Sequence, residues 1–160
     1  MQITPQATAR HFDSLQQEAF LNLWRTYDRL RILEDELFGR YELSAQQYNA
    51  LRLLRGVHPH KVQTLTLAAR LVSRAPDITR LLNKLKERGL IDRERPADNQ
   101  RVVKIGITEA GLQLLAELDA QVLACHQGQL GHLPEEDLKR LIDLLRQARR
   151  PHEKAESDWM

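Results

Sequence analysis

The stretch DITRLLNKLKERGLIDRERPADNQRVVKIGITEAG, residues 77–111, decides the fold. Ile78, Leu81, Leu82 and Leu85 recur at steps of three and four, so they share one face of a helix. Thr79, Arg80, Asn83, Lys84, Glu87 and Arg88 are left facing outward. Pro76 suits the first helical position, and Gly89 suits the end. Two short strands follow, at about 90–95 and 102–107, with Val103, Ile105 and Ile107 alternating as a half-buried strand requires. The loop between them, Pro96 to Arg101, is too long for a two-residue turn and ends on an arginine. Thr108 is placed to cap the next helix.

Upstream, a short helix near Thr64 to Leu71 leads through VSRA into this segment. Before it stands the loop VHPHKVQ, and before that a helix opening at SAQQ. There Ser44 and Gln47 form a capping-box pattern; Tyr48, Leu51 and Leu54 follow, and Gly56 reads as the end. A long helix spans about Phe12 to Phe38, with a continuous stripe that includes Leu15, Phe20, Leu23, Trp24, Tyr27 and Leu30. A stripe of that length demands a partner surface. Downstream, a fifth long helix runs from Thr108 to about Leu130. A last helix begins at Pro134 with Leu138, Leu141, Ile142 and Leu145 inward. The tail RRPHEKAESDWM reads as frayed.

The 160 residues fit one domain, 1–160, large enough to bury a core. Few aromatics and many leucines favour helix packing, so the fold class is mainly α with a small two- to three-stranded β element. No apolar run reaches the roughly 18 residues of a membrane span, and the N-terminus lacks a signal-peptide core. A single cysteine, Cys125, suits a reducing cytoplasm. Net charge is only +2, but residues 73–104 hold nine Lys/Arg against five Asp/Glu, while the rest holds fifteen against seventeen. Positive charge gathers on the deciding stretch. No phosphate loop, His–Glu metal motif or nucleophile elbow is present, which argues against an enzyme.

Short helix, turn, second helix and two-stranded hairpin are the parts of a winged helix-turn-helix. The second helix fits a DNA major groove, where its outward N-terminal residues reach base edges. Thr79 and Arg80 are the base-reading candidates. Arg101 at the wing tip is a minor-groove probe, and Arg93, Arg95 and Lys104 are phosphate contacts. Thr64, Arg74, Asp77 and Lys84 complete the candidate double-stranded DNA surface.

The deciding stretch resembles the signature of the MarR family of winged-helix regulators. Leu85, Gly89 and Leu90, then Arg101, then Ile107, Thr108 and Gly111 fall where that family has its motifs. The resemblance implies a DNA-binding module at 44–107 and a helical dimerisation region at 12–43 and 108–150. It also implies a homodimer, repression at a pseudo-palindromic operator and a cleft for a small effector. Two positions depart from the pattern. Asn99 stands where an acidic residue usually orients the wing arginine, and Asp77 puts a carboxylate in the first turn of the recognition helix.

Trp24, Tyr27, Arg31 and Tyr48 are candidates for an aromatic or anionic effector, although an aromatic stripe also serves as core or interface. His58 and His60, with no partnered cysteine or acidic cluster, favour a solvated loop over a metal site. No cofactor is expected. Cys125, late in its helix, favours packing over redox sensing. A winged-helix module that binds protein instead of DNA, and a metal-responsive regulator, stand as the alternatives.

Overall fold

The computed structural model describes residues 12–74 and 77–154. The order is α1 (Leu15–Gly39), α2 (Ala45–Val57), β1 (Val62–Gln63), α3 (Thr64–Arg70), α4 (Ile78–Glu87), β2 (Ile91–Glu94), β3 (Lys104–Ile107), α5 (Glu109–Leu130) and α6 (Glu135–Arg149). A single 3-10 turn, Arg150–His152, closes the series. The sheet is antiparallel in the order β1-β3-β2, with Val62 opposite Ile105 and Ile91 opposite Ile107. No described helix is long and apolar enough to cross a membrane.

Side-chain caps set most helix starts. The Ser14 hydroxyl accepts from Gln17 N at 3.0 Å, so α1 begins at Leu15 and not at Phe12. Ser44 and Gln47 close the expected capping box. Asp77 accepts from Arg80 N at 2.9 Å and starts α4 at Ile78; the expected opening at Pro76 lies outside the described residues. Gly89, at φ +71, ends α4. The Leu90 N–H reaches the Leu85 carbonyl and the Gly89 N–H reaches Lys86, the paired bonds of a Schellman turn. Gly56 does not end α2, which continues through Val57. A lone glycine weakens a helix by about 1 kcal/mol without forcing it to stop.

The core lies where α2, α3 and α4 meet the inner face of the sheet. Leu51 and Leu54 of α2, Leu67 of α3, Leu82 and Leu85 of α4 and Ile105 of β3 are almost fully enclosed. Leu37 and Phe38 at the end of α1, and Leu115 and Leu118 of α5, close it from the helical side. On the outer face of β3, Gly106 is buried as well, because the Lys61 stem lies across it. Strict alternation therefore ends at Ile105.

At the junction between sheet and α5, the Thr108 hydroxyl donates to the Gly89 carbonyl at 2.6 Å and accepts from Gly111 N at 3.2 Å. The Thr108 N–H also reaches the Leu90 carbonyl. Gly111 makes this approach possible. A Cβ there would lie 2.6 Å from Ile107 Cγ1 and closer still to the Leu90 carbonyl oxygen.

Burial within the single chain is uneven along the two outer helices. None of the described residues of α6 is fully buried: Leu138, Leu141 and Leu145 of the face expected inward are half-buried, and Ile142 is exposed. The α1 stripe behaves alike: Phe20, Trp24 and Tyr27 are each 62% exposed, and only Leu37 and Phe38 reach the core. The tail is ordered through the 3-10 turn, where Arg149 pairs with Glu153 at 2.7 Å; residues 155–160 lie outside the described residues.

Gly111→Ala should lower the free energy of unfolding by about 1–3 kcal/mol, because a backbone oxygen cannot yield to the added methyl. Gly56→Ala, in a helix with open space around the site, should raise it by about 0.4–1 kcal/mol. Urea denaturation of both variants at one fixed protein concentration checks the pair.

Candidate nucleic-acid interface

The apolar rows of α4 pack inward and turn Thr79, Arg80, Asn83 and Lys84 to the surface, as the periodicity requires. Arg74 and Asp77 are exposed just before the helix, and Thr64 is half-buried at the start of α3. The wing carries Arg95 and Arg101 exposed, and Arg93 and Lys104 half-buried. Thr79, Arg80 and Lys84 thus form one helical surface, and Arg93, Arg95, Arg101 and Lys104 belong to the hairpin that follows.

Several of these side chains already have partners. The Asp77 carboxylate is turned onto the α4 N-terminus, where it satisfies a backbone donor and offsets the helix dipole. Arg95 donates through Nη1 to the Gln100 carbonyl at 2.7 Å and so braces the wing tip. Asn99 accepts from the backbone N–H of Arg101 at 3.2 Å, an Asx-type turn. The orienting side chain therefore acts on the arginine's backbone, not on its guanidinium.

A further group lies on the outer face of the sheet. Lys61 precedes β1 and its Nζ lies 3.3 Å from both Asp92 Oδ1 and Glu94 Oε2 of β2. Burial pulls the Lys61 pKa down, but the hydrogen bonds to Glu94 and Asp92 outweigh it and hold the ammonium above its ordinary value. Lys104 stands opposite Glu94 in the β2–β3 register. The pairing of Lys61 with Asp92 and Glu94 was not legible in the sequence, because it joins residues about thirty positions apart. Arg88 was read as a plain outward residue, yet it donates to the Glu42 carbonyl at 2.8 Å and the Tyr41 carbonyl at 3.0 Å.

The four effector candidates do not converge. Trp24 and Tyr27, with Phe20 and Leu23, line a shallow apolar groove on α1. Arg31 pairs with Asp35 at 3.3 Å and its guanidinium lies 5.9 Å from the Tyr27 ring centre. Tyr48 is elsewhere, stacked on Phe38 at 4.5 Å, and burial pushes its phenol up. Fourteen helical residues separate Trp24 from Phe38, roughly 21 Å. A separate cleft of about 350 Å³ lies between α1 and α5, with Arg40 and Gln121 beside Leu33, Leu37 and Cys125.

Burial raises the Cys125 thiol, and the Glu34 carboxylate adds to the effect, so the reactive thiolate is disfavoured. His58 and His60 are exposed, and no group of three metal-ligating side chains occurs among the described residues.

Comparison with known proteins agrees with this geometry. Residues 43–103 match the model of the MarR family. A MarR transcription factor from Planctomyces limnophilus is 55% identical over 85% of this chain and 98% of its own, with a TM-score of 0.68. Two relatives share the fold at lower identity. One is Bordetella bronchiseptica BpsR, whose DNA binding is regulated by 6-hydroxynicotinic acid; it is 20% identical, covers 88% of this chain and 97% of its own, and has a TM-score of 0.74. The other is the organohalide-sensing regulator RdhR-CbdbA1625, solved with 2,4-dichlorophenol; it is 17% identical, covers 100% of this chain and 97% of its own, and has a TM-score of 0.82. These proteins are transcription regulators, not enzymes, and with a 55%-identical MarR factor matched along almost its whole length, the chain belongs to the MarR family of transcription regulators.

Proposed function

We propose that this protein is a cytoplasmic homodimer that binds a pseudo-palindromic operator in double-stranded DNA and represses transcription by occluding it. The observation that carries this reading is a division of surface. Residues 44–107 display a polar, basic reading helix and wing, and 12–43 with 108–150 display exposed apolar faces on α1, α5 and α6. Thr79 and Arg80 would read base edges from the N-terminal turn of α4, with Lys84, Thr64 and Arg74 on phosphate. Arg101 would enter the neighbouring minor groove, and Arg93 and Lys104 would meet the backbone. Asp77 and Arg95 serve this surface indirectly, by capping α4 and by bracing the wing.

An aromatic or anionic effector would relieve repression by changing the spacing of the two recognition helices. The two ligand-linked relatives, one regulated by 6-hydroxynicotinic acid and one bound to 2,4-dichlorophenol, support that class. The cleft between α1 and α5 suits it better than the dispersed aromatic set, since Arg40 and Gln121 supply polar groups beside apolar walls. Trp24 and Tyr27 serve better as interface, because they lie on the exposed stripe that needs a partner.

Light scattering at micromolar concentration should return twice the 18.6 kDa chain mass. A monomer mass would remove the apolar-face argument. On a selected operator, affinity should fall steeply with salt, as phosphate neutralisation requires; a protein-binding module would not show this slope. Arg80→Ala should lose about 1–3 kcal/mol on that operator and relax preference at one position per half-site, checked by fluorescence anisotropy. Arg101→Ala should flatten the preference for flanking A·T pairs while mass and melting temperature stay unchanged. Because the Cys125 pKa lies above its ordinary value, little thiolate exists at neutral pH, and dilute peroxide should leave operator affinity unchanged.

A further inference from the structure

The C-terminal end of α4 is held at two points. One is the bond from Thr108 to the Gly89 carbonyl at 2.6 Å, which joins α4 to the start of α5. The other is Arg88, whose Nη1 and Nη2 donate to the Glu42 and Tyr41 carbonyls at 2.8 and 3.0 Å. Those carbonyls belong to the turn between α1 and α2, which is itself tightly closed. The Leu43 N–H reaches Phe38 and the Glu42 N–H reaches Gly39, with Glu42 at φ 55 in the left-handed region. From the same turn the Tyr41 hydroxyl accepts from the Gln121 amide of α5.

Leu81, Leu82 and Leu85 seat α4 on the core, and the two bonded points at its C-terminal end limit how far it can tilt on that seat. The reading residues Thr79 and Arg80 lie at the opposite end of α4. Ten residues give a lever of about 15 Å. A tilt of ~10° at the held end therefore displaces the reading end by about 2–3 Å, approaching the ~3.4 Å separation of successive bases. Arg88 points both Nη groups at protein carbonyls, so its geometry is that of a brace and not of a phosphate contact.

We propose that Arg88 is a positioning residue that fixes the tilt of the recognition helix against the α1–α5 frame, and thereby sets which half-site spacing the dimer accepts. This rests on the dimeric operator-binding reading above. It differs from base or phosphate recognition in its signature: spacing selectivity changes while affinity for one half-site does not.

The test compares wild type, Arg88→Met and Arg88→Lys on a selected operator and on versions with one base pair added or removed between half-sites. Wild type should prefer its own spacing by about tenfold or more. Arg88→Met should bind the spacings within about threefold of one another, with half-site affinity and salt slope unchanged. Arg88→Lys, which keeps a donor and the charge, should fall between and remains informative if the methionine variant is poorly folded. Retained spacing preference in Arg88→Met overturns the proposal. So does a uniform loss of affinity with a salt slope smaller by about one, the mark of a phosphate contact. A DNA-free measurement separates failure of the operator reading from failure of this inference. Spin labels at Asn83→Cys and Gln113→Cys, in a Cys125→Ser chain diluted with unlabelled protein, should give one narrow distance in wild type and a broadened one in Arg88→Met. An unchanged narrow distribution overturns the proposal whether or not the protein binds DNA.

Discussion

The junction at Thr108 is the constraint on which the rest of the protein depends. One side chain donates to the end of α4 and caps α5, and its backbone N–H bonds to Leu90, the residue just before β2. Four elements therefore meet within one hydrogen-bonded cluster. Gly111 permits this because nothing larger than hydrogen fits beneath the Leu90 carbonyl. The Thr-x-x-Gly pattern is thus a packing requirement that aligns the module at 77–107 with the long helix after it. Together with the Arg88 bonds to Tyr41 and Glu42 and the buried leucines of α4, it fixes α4 relative to the helical frame.

Burial divides the chain in two. Around α2, α3, α4 and the sheet, Leu51, Leu54, Leu67, Leu82, Leu85 and Ile105 are almost fully enclosed, and Leu65 is the main exception. Along most of α1 and on part of α6 apolar residues such as Phe20, Leu23, Ile142 and Leu144 are exposed, although their spacing is just as regular. Monomeric proteins rarely leave apolar stripes of that length uncovered. The contrast follows from geometry: α1 continues well past the small core it touches with Leu37 and Phe38, and no described residue of α6 is fully buried.

Composition overstates the free charge on the face of α4 and the wing, and the side-chain bonds correct it. Of the basic residues between 73 and 104, Arg88 and Arg95 are occupied in holding backbone carbonyls. Lys61, outside that range, pairs with both Asp92 and Glu94 and offsets part of the negative charge of these two wing carboxylates. Asp77 is likewise committed to a helix end. The surface that remains open is narrower than the count of charges suggests, and it centres on Arg80, Lys84 and Arg101.

What the sequence determined by itself was local. Helix faces, the caps at Ser44 and Thr108, the stop at Gly89 and the wing hairpin all follow from spacing and backbone preference within a few residues, and each was legible. Boundaries slipped where a local signal was weak, as at Gly56, or where a cap outranked an apolar residue, as at Ser14 and Phe12. Only the tertiary structure decided the rest. It separated Tyr48 from Trp24, left no described residue of α6 fully buried, and turned Asn99 onto a backbone N–H. It also brought Arg88 to Tyr41 and Glu42, and Lys61 to Asp92 and Glu94. These contacts join residues about thirty to fifty positions apart, and no periodicity of 2 or 3.6 carries information over that distance. They depend on how elements pack, which the hydrophobic pattern constrains only as a face and not as a neighbour.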